Sequence, residues 1–410
     1  MNEPLIYRAK TVVTMDGPPI QDGAVAIAGV RISTVGSFKE VQKDGGEVID
    51  LGEIVLLPGL INAHCHLDFT SLRGLIAPQR SFADWIRQIN GLRRELSDED
   101  YLQSIARGFA EAKRWGTTTI VNIESMPALL NQIAPPPIRT WWFAELIDVQ
   151  PRVSAKEMIE QALAAFQNKE SWPGGFGLSP HAPYTASPKL SRLAAETARQ
   201  RGMLLTAHIA ESQEEMEMFR DGSGPLFDLL KILGRPMEDC GRRTPLTAML
   251  DRAQLDERWI VVHLNELEEE DFTRLERGPR FHIAHCPRSG RYFKHRPFEL
   301  RRLLDLGFNV CLGTDSLASN FSLSLFAEMQ TLRDAHPWLA PERLLQMATV
   351  NGARALHQEH ALGKMRAGFQ ADLIALPIEN PSADLFEKIL AWEEEVPWMM
   401  LGGVAYGGAA

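Results

Sequence analysis

Two textures of hydrophobic patterning divide the chain. Residues 1–57 alternate apolar and polar positions over short runs, 5–15, 24–28 and 31–35, separated by Asp16-Gly17-Pro18-Pro19 and Gly29. Alternation bounded by Gly and Pro predicts strands joined by tight turns. From Leu57 onward, apolar runs of four to eight residues alternate with longer amphipathic stretches such as 98–115 and 188–201, the rhythm of a parallel sheet with crossover helices. Eight such runs occur, near 55–63, 117–123, 139–146, 175–178, 204–208, 259–263, 280–285 and 309–315. Eight strand-helix units over this length predict an α/β fold, a (β/α)8 TIM-type barrel. After a helix expected over 341–356, the segment 362–376 returns to turn and strand. A small β-sandwich domain built from 1–57 and 366–410 is therefore expected around a barrel of 58–365. The Gly/Ala-rich tail 402–410 is expected to fray.

Polar residues close several of the buried runs. His64-Cys65-His66 ends the first; at spacing two along a strand both imidazoles project from one face, with Cys65 turned the other way. His181, His208, His263 and Asp315 each close a later run. A lone histidine on an apolar strand is ordinarily a hydrogen-bonded core residue, and His285 is read with that alternative open. His64, His66, His208 and Asp315 taken together resist it, because four coincident strand-end groups in one barrel would be buried without partners. Three imidazoles and a carboxylate suit one divalent metal ion with a position open for water, whose pKa falls towards about 7 on binding. Glu211, three residues after His208, is the candidate to carry the water proton to a leaving group, and His263 and Asp315 can orient the hydroxide.

Composition narrows the partners. The chain has 410 residues, 45% of them hydrophobic and 23% charged, as expected of an ordinary globular protein with a sizeable core. A formal net charge of −10 argues against nucleic acid and anionic membrane surfaces, leaving a small molecule as the expected partner; a homodimer is left open. Cys65, Cys240, Cys286 and Cys311 form no Cys-x-x-Cys pair, and the N-terminus lacks a basic segment followed by an apolar core. A reducing, cytoplasmic setting without disulfides is expected.

The motifs also carry a resemblance. Pro58-Gly59-Leu60-Ile61-Asn62-Ala63-His64-Cys65-His66, Trp115-Gly116-Thr117-Thr118-Thr119, Ser179-Pro180-His181-Ala182-Pro183-Tyr184 and His208-Ile209-Ala210-Glu211 are its first half. Val262-His263, His285-Cys286-Pro287-Arg288-Ser289 and Gly313-Thr314-Asp315-Ser316 continue it. The chain resembles the amidohydrolase superfamily, in the branch of S-adenosylhomocysteine and methylthioadenosine deaminases, guanine deaminase and triazine chlorohydrolases. The resemblance implies His64, His66, His208 and Asp315 as ligands of one metal, Glu211 as proton shuttle, His263 as the residue that positions the attacked centre, and His181 as a substrate contact. No lysine stands where a carbamylated bridging residue would close the strand at 176–179, so a second metal is not implied. Zn2+ is the first expectation and Fe2+ the alternative.

Departures bear on the substrate. Nucleoside deaminases of this branch place a ribose-holding glutamate about nine residues after a Trp; counting from Trp85 lands on Arg94, with Glu95 beside it. Arg288 and Ser289, with Arg291 nearby, are further candidate substrate contacts, against the plainer reading of the arginines as solvated surface charges. Hydrolytic deamination of a purine-derived, nucleoside-like amine is the leading expectation. Displacement of chloride from a similar ring and a catalytically silent scaffold are the alternatives.

Overall fold

The computed structural model describes residues 3–150, 152–379 and 384–407. The alternating N-terminal segment forms β1 (Leu5–Val12), β2 (Ile20–Ala28) and β3 (Arg31–Ser37), successive antiparallel neighbours, with Gly29 at φ 60° in the second turn. β4 (Glu47–Asp50) and β5 (Val55–Pro58) both lie parallel to β1, β4 along Leu5–Arg8 and β5 at Thr11 and Val12, so the sheet branches at β1. Alternation sorts its side chains. Val25 and Ile27 pack on one face with Tyr7, while Ala24 and Ala26 pack on the other with Ile6 and Val41.

The second sheet follows the buried runs. β6 (Leu60–His66), β7 (Thr117–Glu124), β8 (Arg139–Leu146), β9 (Gly174–Pro180), β10 (Leu204–Ile209), β11 (Trp259–His263), β12 (His282–His285) and β13 (Asn309–Leu312) are hydrogen-bonded neighbours in chain order. The eighth strand resumes as β14 (Asp315–Ser316), which pairs in parallel with β6, Asp315 opposite Cys65 and Ser316 opposite His66. With β13 held by β12 and β14 by β6, the ring closes, as a (β/α)8 barrel requires. The crossover helices carry their own boundary signals. Pro188–Arg201 begins with Ser187 accepting a hydrogen bond from the Leu190 amide, has Pro188 in its first turn and ends at Gly202 in the left-handed region, φ 65°.

After the barrel, β15 (Leu373–Leu376) returns to the first sheet antiparallel to β5, followed by β16 (Trp398–Leu401) and β17 (Val404–Tyr406). The N- and C-terminal segments thus share one sheet. Gly402 and Gly403, both at positive φ, turn the β16–β17 hairpin, so this part of the tail is ordered rather than frayed; residues 408–410 lie outside the described residues. The helix expected over 341–356 is two helices, Pro341–Met347 and Val350–Ala355. The Ala348 carbonyl between them accepts a hydrogen bond from the Ile61 amide at 2.8 Å, which takes it out of a continuous helical ladder.

By proximity the chain forms two compact units, 1–62 with 110–120 and 324–410, and 63–109 with 121–323. All the candidate site residues belong to the second. Among the described residues no helix is long and apolar enough to cross a membrane.

Candidate active site

Strand geometry aims the side chains that the sequence singles out. On β6, His64 and His66 share a face, while the Cys65 thiol points away and donates to the Val121 carbonyl at 3.4 Å. His208 Nε2 lies 3.2 Å from His64 Nε2 and 3.3 Å from His66 Nε2. Asp315 Oδ1 lies 3.5 Å from His64 Nε2 and 3.8 Å from His66 Nε2. All four residues are buried, and their donor atoms form one cluster able to hold a metal ion.

The donor chemistry fits a small divalent cation. His208 Nδ1 faces the His181 carbonyl at 3.1 Å, so Nδ1 carries the proton and the Nε2 lone pair points into the cluster. Burial, then the neighbouring imidazoles, push His66 well below the ordinary histidine range and His208 down to about 3, leaving both neutral at pH 7. Burial opposes charge on Asp315, but hydrogen bonding to His64 and the surrounding histidines outweigh it and hold the carboxyl well below its usual range. Imidazole lone pairs facing one another across 3.2–3.3 Å repel unless a cation stands between them. Those separations also match the edge of a tetrahedron with metal–nitrogen bonds of 2.0–2.1 Å, about 3.3 Å.

Asp315 is held firmly. Its Oδ2 accepts from Ser289 Oγ at 2.6 Å, and its Oδ1 from the Ser316 amide at 2.8 Å. Its backbone is left-handed, φ 57°, as are Ala210 at 52° and His263 at 75°; each such residue costs on the order of 1–3 kcal/mol. The three strained positions adjoin or carry the polar groups of the site. The Ala210 turn swings Glu211 out of line with β10. There its amide donates to Glu215 Oε2 at 2.8 Å, its carbonyl accepts from Asn265 Nδ2 at 3.1 Å, and its Oε1 lies 3.6 Å from His263 Nε2. Burial, then the charges of Asp315 and Glu215, raise the proton affinity of Glu211 well above that of an ordinary carboxylate. His263 Nε2 is buried and makes no hydrogen bond, and burial keeps its ring neutral.

Gly313, in the gap between β13 and β14, sets how closely the eighth strand approaches the first. A Cβ there would stand 2.8 Å from both the His64 Cβ and its carbonyl oxygen, and 3.0 Å from its nitrogen. Backbone is on the receiving side, so Gly313→Ala must shift the two strands. A displacement near 1 Å costs on the order of 100-fold in rate. The variant is expected to lose bound metal and kcat/KM together, measured by elemental analysis and turnover; parent-level values would show that the strands tolerate the shift.

Beside the four donors opens a cavity of about 200 Å3 whose wall includes His66, His208, Glu211, Asp315 and His181. His181 Nδ1 lies 2.6 Å from Thr185 Oγ1, and its Nε2 lies 3.8 Å from Glu145 Oε1. One face of the helix Phe82–Arg93 supplies much of the apolar wall, Trp85 included.

A model of the amidohydrolase family matches residues 55–391 of this sequence. The chain belongs to the amidohydrolase family. Among amidohydrolase relatives, a 5-methylthioadenosine/S-adenosylhomocysteine deaminase of Pyrococcus furiosus is 29% identical over 395 residues, 93% of this chain and 86% of the relative. A deaminase of the same name from Syntrophobacter fumaroxidans is 31% identical over 382 residues, covering 89% and 82%. Among solved structures, Helicobacter pylori aminofutalosine deaminase with methylthio-coformycin superposes with TM-score 0.85 at 21% identity over 98% of this chain and 99% of that one. An adenosine deaminase of Xanthomonas campestris with bound zinc gives 0.81 at 23%, covering 98% and 92%. These two structures share the fold of this chain over 98% of its length.

Within this amidohydrolase, the structure brings His64, His66, His208, Asp315, Glu211 and His263 together and places His181 and Trp85 on the cavity wall. Three expected substrate contacts lie elsewhere. Arg94 is the C-terminal cap of its helix and is exposed, as is Glu95, because one residue along a helix rotates the side chain by about 100°. Arg288 reaches Ser322 Oγ at 2.7 Å and does not line the cavity. Ser289 is spent on Asp315 and on Ser319 Oγ, 3.0 Å away, so it positions the carboxylate rather than the substrate. Arg93 and Glu145 line the cavity unforeseen. The signal for Arg93 lay in the helical period counted from Phe82, and that for Glu145 in its place at the carboxyl end of β8.

Proposed function

We propose that this protein is a mononuclear-metal aminohydrolase that converts a purine-derived, nucleoside-like heteroaromatic amine and water to the oxo product and ammonia. The observation that carries the reading is the convergence of three imidazole nitrogens and one carboxylate on a point beside the cavity that Glu211 lines, with His263 grouped against Glu211 and Asp315. The deaminase names of the relatives support it. In this reading His64, His66, His208 and Asp315 hold one Zn2+, with Fe2+ as the alternative. The ion, when bound, supplies a nucleophile at neutral pH by lowering the pKa of water.

The chain's own groups do the rest. Trp85 and the apolar wall bind the ring and exclude water. Glu211 takes one proton from the attacking water and passes it to a ring nitrogen as the carbon becomes tetrahedral; it then takes the second proton from the added hydroxyl and gives it to the amine, so that the C–N bond breaks, ammonia departs and the oxo product remains. Its raised proton affinity suits a group that must both accept and donate. His263 Nε2, 3.6 Å from Glu211 Oε1, aligns the attacking oxygen, and Asp315 Oδ1 flanks it from the other side. His181 contacts the ring substrate. The division into 1–57 with 366–410 and 58–365 belongs to this reading, as does a reducing, cytoplasmic setting, which the free cysteines support.

The test is ammonia release by the metal-loaded chain over a panel of purine nucleosides and heteroaromatic amines, with chloride release from chlorinated rings read in parallel. Deamination of a nucleoside supports the reading; chloride without ammonia, or neither, overturns it. His263→Ala is expected to lower kcat by roughly 10²-fold or more while KM moves little, because alignment matters most as the adduct forms. Unchanged turnover in a folded, metal-loaded variant would remove His263 from the reaction.

A further inference from the structure

One face of the helix Phe82–Arg93 is turned into the cavity, and it ends in a cation. Phe82, Trp85, Ile86, Ile89, Asn90 and Arg93 recur at three- and four-residue intervals along it. The first four are apolar. Asn90 and Arg93, one turn apart, add hydrogen-bond donors. The Arg93 guanidinium lies over the Phe69 ring, 4.9 Å from its centroid, and Phe69 in turn stacks on His66 with centroids 5.8 Å apart. That contact holds the guanidinium beside the ring, and Arg93 remains part of the cavity wall.

The surroundings of Arg93 are unusual for a guanidinium largely removed from water. Burial disfavours its charge, but Glu145 and Asp68, acting through space, and Tyr101 outweigh burial and keep it protonated, and neither carboxylate forms a direct ion pair with it. Asp68 Oδ2 is engaged by Ser125, accepting from Oγ at 2.5 Å and from the amide at 3.3 Å. Glu145 faces His181. Neither carboxylate takes the planar five-donor fork of Arg93 in a bidentate pair, and that fork matches a substrate carboxylate.

We propose that Arg93, assisted by Asn90, is the specificity residue of this cavity, and that the substrate carries a carboxylate apart from its reacting amine. The inference rests on the deaminase reading above. It moves anion recognition from the exposed Arg94 to the neighbour that faces the ligand.

Adenosine-5′-carboxylic acid and adenosine-5′-carboxamide, nearly isosteric and differing by one charge, are the probes. The full-length, metal-loaded protein is assayed by ammonia release from each. The acid is expected to exceed the amide in kcat/KM by roughly 10- to 150-fold. In Arg93→Gln that ratio should fall to within about threefold, and in Arg93→Lys, which keeps the charge without the fork, it should lie between. A parent ratio near one overturns the proposal without any variant, and so does a ratio retained in folded Arg93→Gln. Ammonia from the amide as fast as from the acid defeats this proposal and leaves the deaminase reading standing. Ammonia from neither probe, nor from any amine in the panel, defeats the deaminase reading and this proposal with it.

Discussion

Glu211→Gln is expected to keep its metal and lose roughly 10²- to 10⁴-fold in kcat, the usual range for removal of a positioned acid–base group. The substitution is nearly isosteric, and the two contacts that place the residue run through its backbone: its amide to Glu215 and its carbonyl to Asn265. They survive the change, so the side chain stays where it was. What disappears is the ability to accept a proton from water and return it to the ring and the leaving amine. Glu211 contributes none of the four donor atoms of the His64, His66, His208 and Asp315 cluster, so elemental analysis should find parent-level metal. A fall of less than about tenfold with metal retained would assign the proton transfer to another group.

Asp315→Ala is expected to lose metal and turnover together, and His64→Ala to do the same. Asp315 is the sole anion among the four donors, so its removal takes away the charge that offsets a dication as well as one ligand. It also leaves Ser289 Oγ and the Ser316 amide without their acceptor. His64 sits within 3.2 Å of His208 and 3.5 Å of Asp315, and its loss opens a hole between the remaining donors. Removing a group that merely orients a ligand costs about 10- to 100-fold in affinity or activity, so removing a ligand itself should exceed that. Elemental analysis after dialysis and ammonia release are the measurements. One tightly bound ion and near-parent turnover in either variant would refute the ligand assignment.

Much of the site was legible because barrel chemistry is tied to strand ends. His64, His208, His263 and Asp315 each close an apolar run, and the carboxyl ends of barrel strands are where polar side chains converge on one mouth. Period two was enough to put His64 and His66 on one face and Cys65 on the other. The terminal sheet was legible for a similar reason, since alternation and Gly/Pro punctuation report locally on each strand. The split eighth strand was not. Its break at Gly313 and Thr314 follows from how closely Gly313 meets His64, a contact between residues 249 positions apart in the chain.

The lining of the cavity was the least legible part, and Arg93 shows why. Counting residues from Trp85 carries an error of one, and on a helix an error of one moves a side chain by about 100°, from cavity to solvent. The sequence offers Ser289 as a candidate substrate contact, whereas its hydroxyl is committed to Asp315. The sequence by itself determined the strands, the residues at their ends and thereby the metal-binding chemistry, because these depend on local periodicity and on what a buried strand tolerates. Only the tertiary structure decided which polar residues line the cavity and which support their neighbours. That choice depends on helix rotation and on contacts between segments far apart in the chain, which no local pattern encodes.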